Sequence, residues 1–72
     1  MYIVIELQTT GTRTSVLTYT FVDVNEAEQK YHTILSYAAV STVDFHAASI
    51  LRPDGSLIKN EYYYHERIEE VN

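Results

Sequence analysis

Hydrophobic and polar positions alternate from the start of the chain. In residues 2–8, YIVIELQ, Ile3, Ile5 and Leu7 share one side, and Tyr2, Val4, Glu6 and Gln8 share the other. A period of two is that of a strand. TTGTR then supplies Gly11 for a turn. Residues 14–22, TSVLTYTFV, are β-branched and aromatic and alternate again. The pattern predicts a β-hairpin with Ile3, Ile5, Leu7, Leu17, Tyr19 and Phe21 inward.

The period then changes. In DVNEAEQKYHTILSYAAV, the residues Val24, Ala27, Tyr31, Ile34, Leu35 and Ala38 recur at helical spacing and form one apolar stripe. Asp23 is the expected N-cap, with Glu26 three residues on; Asn25 with Glu28 is the other frame. The helix is expected to end near Val40, with Glu28 and His32 paired one turn apart on its flank. TVDFHAASILR reads as a third strand. RPDGS reads as a tight turn, with Pro53 presetting φ and Gly55 free to take positive φ. A type I turn with a bulge at Gly55 is expected to pair Arg52 with Ser56, and unbroken pairing from there sets Ile50 against Ile58, Ala48 against Asn60, His46 against Tyr62 and Asp44 against Tyr64. The other face then pairs Leu51 with Leu57 and Phe45 with Tyr63.

These elements predict an α+β fold of order ββαββ: a four-stranded, mainly antiparallel sheet with one helix on one face, in spatial order 2-1-3-4. Residues 1–66 form a single domain and residues 67–72 a short acidic tail. Ala48, Ile50, Ile58 and part of Tyr62 are assigned to the helix-covered face, because the opposite face of the last strand would carry Lys59 and Glu61, which are costly to bury. A one-residue slip exchanges the two faces.

One helix covers one side of a sheet. The other side is expected to present Tyr2, Val4, Val16, Phe45, Leu51, Leu57 and Tyr63, a large apolar surface for a monomer. A chain of 72 residues without cysteine has a modest core and no disulfide to support it. This face is therefore expected to meet a second copy, giving a homodimer or higher oligomer, or another partner.

Charge narrows the functions. The net charge is −5, and Arg13, Lys30, Arg52, Lys59 and Arg67 are dispersed, whereas phosphate tracking needs clustered cations. No direct nucleic-acid binding is expected. No apolar run approaches the roughly 20 residues of a membrane span, and Glu6 in the opening segment is unlike a signal peptide.

Candidate chemistry is sparse. His32, His46 and His65 do not converge in the predicted register, so no metal site is expected. The serines stand in no nucleophile elbow, and with only Gly11 and Gly55 there is no phosphate-binding or dinucleotide loop. Asp44, His46, Tyr62 and Tyr64 fall on one predicted face. With Arg52 they form a candidate site for a small nucleotide-like ligand, through stacking and phosphate contact. No cofactor and no enzymatic activity are expected.

The segment NEAEQKYHTILSYAAVS, with His46, IKNEYYYH and the opening YIVIELQT, resembles a group of small phage- and prophage-associated proteins of Gram-positive gut bacteria. The shared positions are Asn25, Glu26, Ala27, Glu28, Lys30, Tyr31, His32, His46, Ile58, Lys59, Asn60 and Glu61. The resemblance transfers no catalytic or ligand-binding residue. It implies a mobile-element origin, a bacterial cytoplasmic setting and action by binding host machinery. The expected function is a non-catalytic, acidic inhibitor of a bacterial host protein, such as a basic nucleic-acid-binding effector, in an anti-defence role of the anti-CRISPR kind. Glu66, Glu69 and Glu70 would contribute charge to that docking. An oligomeric sponge for a nucleotide-like immune signal and a structural phage component are the alternative expectations.

Overall fold

A computed structural model describes residues 1–65. Residue 66 and the tail expected over 67–72 lie outside the described residues, and with them Glu66, Glu69 and Glu70. The elements run β1 (Tyr2–Thr10), β2 (Arg13–Phe21), α1 (Val24–Ala38), β3 (Phe45–Leu51) and β4 (Leu57–Tyr64). The sheet order is β2-β1-β3-β4, every neighbouring pair antiparallel. Both the ββαββ class and the strand order agree with the sequence pattern.

Local chemistry sets the boundaries. Gly11 at φ 61 opens the Gly11–Thr12 turn closed by the Thr10↔Arg13 pair, and positive φ at the first of two central residues is the type II′ hairpin geometry. Asp23 is the N-cap, its side chain accepting from the Asn25 amide at 2.9 Å. At the other end of α1, the Ala38 carbonyl accepts from His65 Nε2 at 2.8 Å and lies 3.3 Å from both the Ser41 amide and hydroxyl. A side chain that follows β4 thus adds the shortest of three contacts to a carbonyl at the end of the helix, where intrahelical donors run out.

The core lies between α1 and one face of the sheet. Ala27, Tyr31, Ile34 and Leu35 pack on Val4, Ala48 and Ile50, with Tyr2, Tyr19, Phe21 and Ile58 closing the margins. The predicted hairpin interior is half reversed. Tyr19 and Phe21 do face the helix, but so do Tyr2, Val4 and Glu6, while Ile3, Ile5 and Leu7 face away. Apolar residues occupy both sides of β1, so its alternation does not say which side is covered. Glu6 marks its own side as the wet one in the sequence; the fold supplies it with a buried partner instead.

The second hairpin departs from unbroken pairing at one residue. Leu51 pairs with Leu57 as expected, and Arg52 N donates to Ser56 O at 2.8 Å. A bulge at Ile58 then shifts the register, setting Ile50 against Lys59, His46 against Tyr63 and Phe45 against Tyr64. Ile58 turns into the core, and Lys59 Nζ reaches Glu28 of the helix at 3.1 Å. Beyond the bulge, alternation moves Tyr62 and Tyr64 to the uncovered face and Tyr63 to the helix side.

Candidate functional site

The strand registers fix what the uncovered face presents. It carries Ile3, Ile5, Leu7 and Thr9 of β1, Thr14, Val16, Thr18 and Thr20 of β2, Phe45, Ala47, Ser49 and Leu51 of β3, and Leu57, Asn60, Tyr62 and Tyr64 of β4. None of these side chains is charged. Phe45 stands between Tyr64 and Tyr62, at ring-centroid distances of 4.7 and 6.0 Å. Ala47 leaves a depression of about 320 Å³ among Leu7, Thr9, Phe45, Asn60 and Tyr62. Val16, Leu57, Tyr62 and Tyr64 are each more than half exposed.

Of the interface residues expected from the sequence, Val16, Phe45, Leu51 and Leu57 lie on this face. Three are corrected. Val4 is fully buried in the core, Tyr2 packs against the core margin, and Tyr63 is carried to the helix side by the bulge. Ile3, Ile5, Leu7, Tyr62 and Tyr64 take their places. The face keeps its apolar character because β1 is apolar on both sides.

The candidate ligand group does not assemble. Tyr62 and Tyr64 are on the open face, and His46 is buried on the helix side. Arg52 lies beyond the far end of β3, where it donates to Ser56 Oγ and the Leu57 carbonyl. Asp44 accepts from the Gly11 amide at 2.8 Å and, through its own carbonyl, from the His65 amide, fastening the first hairpin turn to the start of β3.

His46 belongs instead to a cluster that the sequence pattern did not bring together. Its Nε2 lies 2.6 Å from Glu6 Oε2, and its Nδ1 lies 3.2 Å from Ser41 Oγ. A carboxylate only accepts, so Nε2 carries the proton. Gln8 Nε2 donates to the same carboxylate at 3.0 Å, and Tyr19 OH approaches it at 3.4 Å. Burial by itself raises the Glu6 carboxyl. Hydrogen bonds from His46 and Gln8, the His46 charge and the Tyr19 hydroxyl outweigh it and hold Glu6 below the ordinary glutamate value.

The Ser41–His46–Glu6 sequence of contacts has the connectivity of an acyl-transfer relay. Its surroundings point elsewhere. Ser41 sits against the Ala38 carbonyl at the negative end of α1, whereas a developing oxyanion needs converging N–H donors. The cluster ties β1, β3 and the C-terminus of α1 to one another. The signal for it in the sequence was a lone Glu within an apolar strand and a lone His within another.

Among the described residues, no group of three or more His, Asp or Glu is placed to hold a metal ion, and no helix is long and apolar enough to cross a membrane. Comparison with protein-family models, with curated proteins and with solved structures found no match.

Proposed function

We propose that the protein is a non-catalytic binding protein that works as a homodimer, two open sheet faces packed on each other, and that the dimer inhibits a bacterial host protein. The observation that carries the reading is the uncharged open face. Four strands at about 4.8 Å spacing and about 25 Å of strand length give a plane of roughly 500 Å² before side-chain relief. That approaches the roughly 800 Å² per partner of a standard-size interface. The chain carries a net charge of −5, so copies repel except where a neutral surface lets them meet. A neutral apolar face is complementary to itself, as two-fold packing requires, and two sheets stacked about 10 Å apart supply the second core layer that one helix cannot. Among the described residues, Glu26, Glu28 and Glu61 are then left off the paired face, where they favour a basic host partner by steering.

Light scattering tests the pairing. The 8.3 kDa chain is expected to run as a dimer at micromolar concentration, and Leu7→Lys, at the centre of the open face, is expected to yield a folded monomer. A wild-type monomer at high micromolar concentration, or a dimer indifferent to Leu7→Lys, would sink the reading.

A further inference from the structure

The sheet has two edges, and they are built differently. β4 is guarded by its bulge at Ile58 and by Lys59 and Glu61, devices that discourage strand addition. From Thr14 to Phe21, β2 has no charge, no proline, no glycine and no bulge. The two-residue turn at Gly11–Thr12 makes Thr10↔Arg13 a hydrogen-bonded pair, so alternate pairs up to Val4↔Tyr19 are hydrogen-bonded as well. The peptide groups of Thr14, Val16, Thr18 and Thr20 therefore point outward along a free edge.

A second observation lies beside that edge. A groove of about 370 Å³ runs between the end of β2 and the flank of α1, lined by Phe21, Glu26, Gln29, Lys30 and Thr33. The Lys30 ammonium stands 4.1 Å from the centre of the Tyr19 ring. Glu26 and Lys30, one helical turn apart in this groove, form no ion pair with each other or with another described residue; Lys30 is turned to the Tyr19 ring, and the Glu26 carboxylate, in the first turn of the helix, has no partner among the described residues.

We propose that the β2 edge and this groove form a strand-addition site for an extended segment of a basic protein partner. The incoming backbone pairs with Thr14, Val16, Thr18 and Thr20. One Arg or Lys side chain on its helix-facing side lays its stem over Phe21 and its charge against Glu26. Main-chain pairing supplies affinity and the groove supplies specificity, as in other strand-addition sites. The inference rests on the reading of the chain as a binding protein and needs no particular oligomeric state, because face-to-face packing leaves the β2 edge open.

The probes are two capped eight-residue peptides of alternating threonine and valine, one with arginine and one with glutamate at a single valine position. Each is titrated into ¹⁵N-labelled full-length protein, with mass measured on the same sample. The arginine peptide is expected to shift the amides of Thr14, Val16, Thr18, Thr20 and Glu26 and to bind about tenfold more tightly than the glutamate peptide. Glu26→Gln should abolish that preference. Thr18→Pro removes an outward N–H without touching the β1–β2 ladder, so it should abolish binding while circular dichroism stays unchanged. Methylating alternate peptide nitrogens tests the same pairing on the wild-type chain. Absence of saturable shifts at millimolar peptide, shifts confined to the open face, or equal affinity for the two peptides would overturn the site. A monomer that binds the arginine peptide would sink the dimer and leave the edge site standing.

Discussion

At the scale of the residue, the Glu6–His46 pair is the most consequential contact. Both side chains are nearly inaccessible, at 11% and 5% exposure, and each has its remaining partner, Gln8 for one and Ser41 for the other. A buried pair of this kind adds little over a well-packed apolar pair, but removing one member leaves the other uncompensated. His46→Ala is expected to cost about 3–5 kcal/mol, a large share of the stability of so small a domain, read as a lower urea midpoint at unchanged slope. A loss below about 1 kcal/mol would show that water replaces the imidazole without penalty. The depressed Glu6 carboxyl sets the direction of the acid response. The unfolded chain takes up this proton near pH 4.5, the ordinary glutamate value, and the folded chain does so only at lower pH. Its contribution is therefore fully present above pH 4.5 and is lost as pH falls through the folded value. Denaturation midpoints measured down from pH 6 should decline on entering that window, and Glu6→Gln should flatten the decline.

At the scale of the element, the helix is the component on which the covered face depends, and its start is the point where that can be tested alone. Asp23 holds extended dihedrals of φ −98 and ψ 128 while its carboxylate accepts from Asn25. Asp23→Ala removes that acceptor and a negative charge from the positive end of the helix, for a loss of about 1 kcal/mol. In a domain of this size that corresponds to a fall of about 4–8 °C in Tm. An unchanged Tm would mean that packing of Ala27, Tyr31, Ile34 and Leu35 alone fixes the helix start. The N-cap was legible because it is a local device, but the box expected with Glu26 does not close: Asp23 accepts from the Asn25 amide, and the Glu26 side chain bonds no described residue. The bulge in β4 was not legible. RPDGS announces its turn and a bulge at Gly55, but nothing in it announces an inserted residue at Ile58. It arises because Ile58 has a core to enter, built from helix and sheet together, and Lys59 has Glu28 to meet, 31 residues earlier in the chain.

At the scale of the whole molecule, a single sheet with one helix leaves an uncharged face to water. If two such faces form a second core, folding and association are linked, and apparent stability rises with protein concentration. Tm by calorimetry is expected to climb over a hundredfold range of concentration for the wild type and to stay constant for Leu7→Lys. A wild-type Tm independent of concentration would remove the linkage. The free β2 edge is a property of the same scale, since an edge exists only once the order of all four strands is set.

The order of elements, the apolar stripe of α1, its cap and both hairpin turns follow from the sequence by itself, because each depends on neighbours within about one turn or one hairpin loop. The strand order agrees with the expectation but does not rest on local neighbours: a helical crossover permits β3 beside β1, and the tertiary structure sets it there. Which side of β1 is covered, which partner Glu6 finds, and on which face the tyrosines of β4 stand were decided only by tertiary structure. YIVIELQ has apolar residues on both sides and sets Glu6 and Gln8 on the side that the helix covers, so its pattern does not name the buried side; what is laid across the strand does.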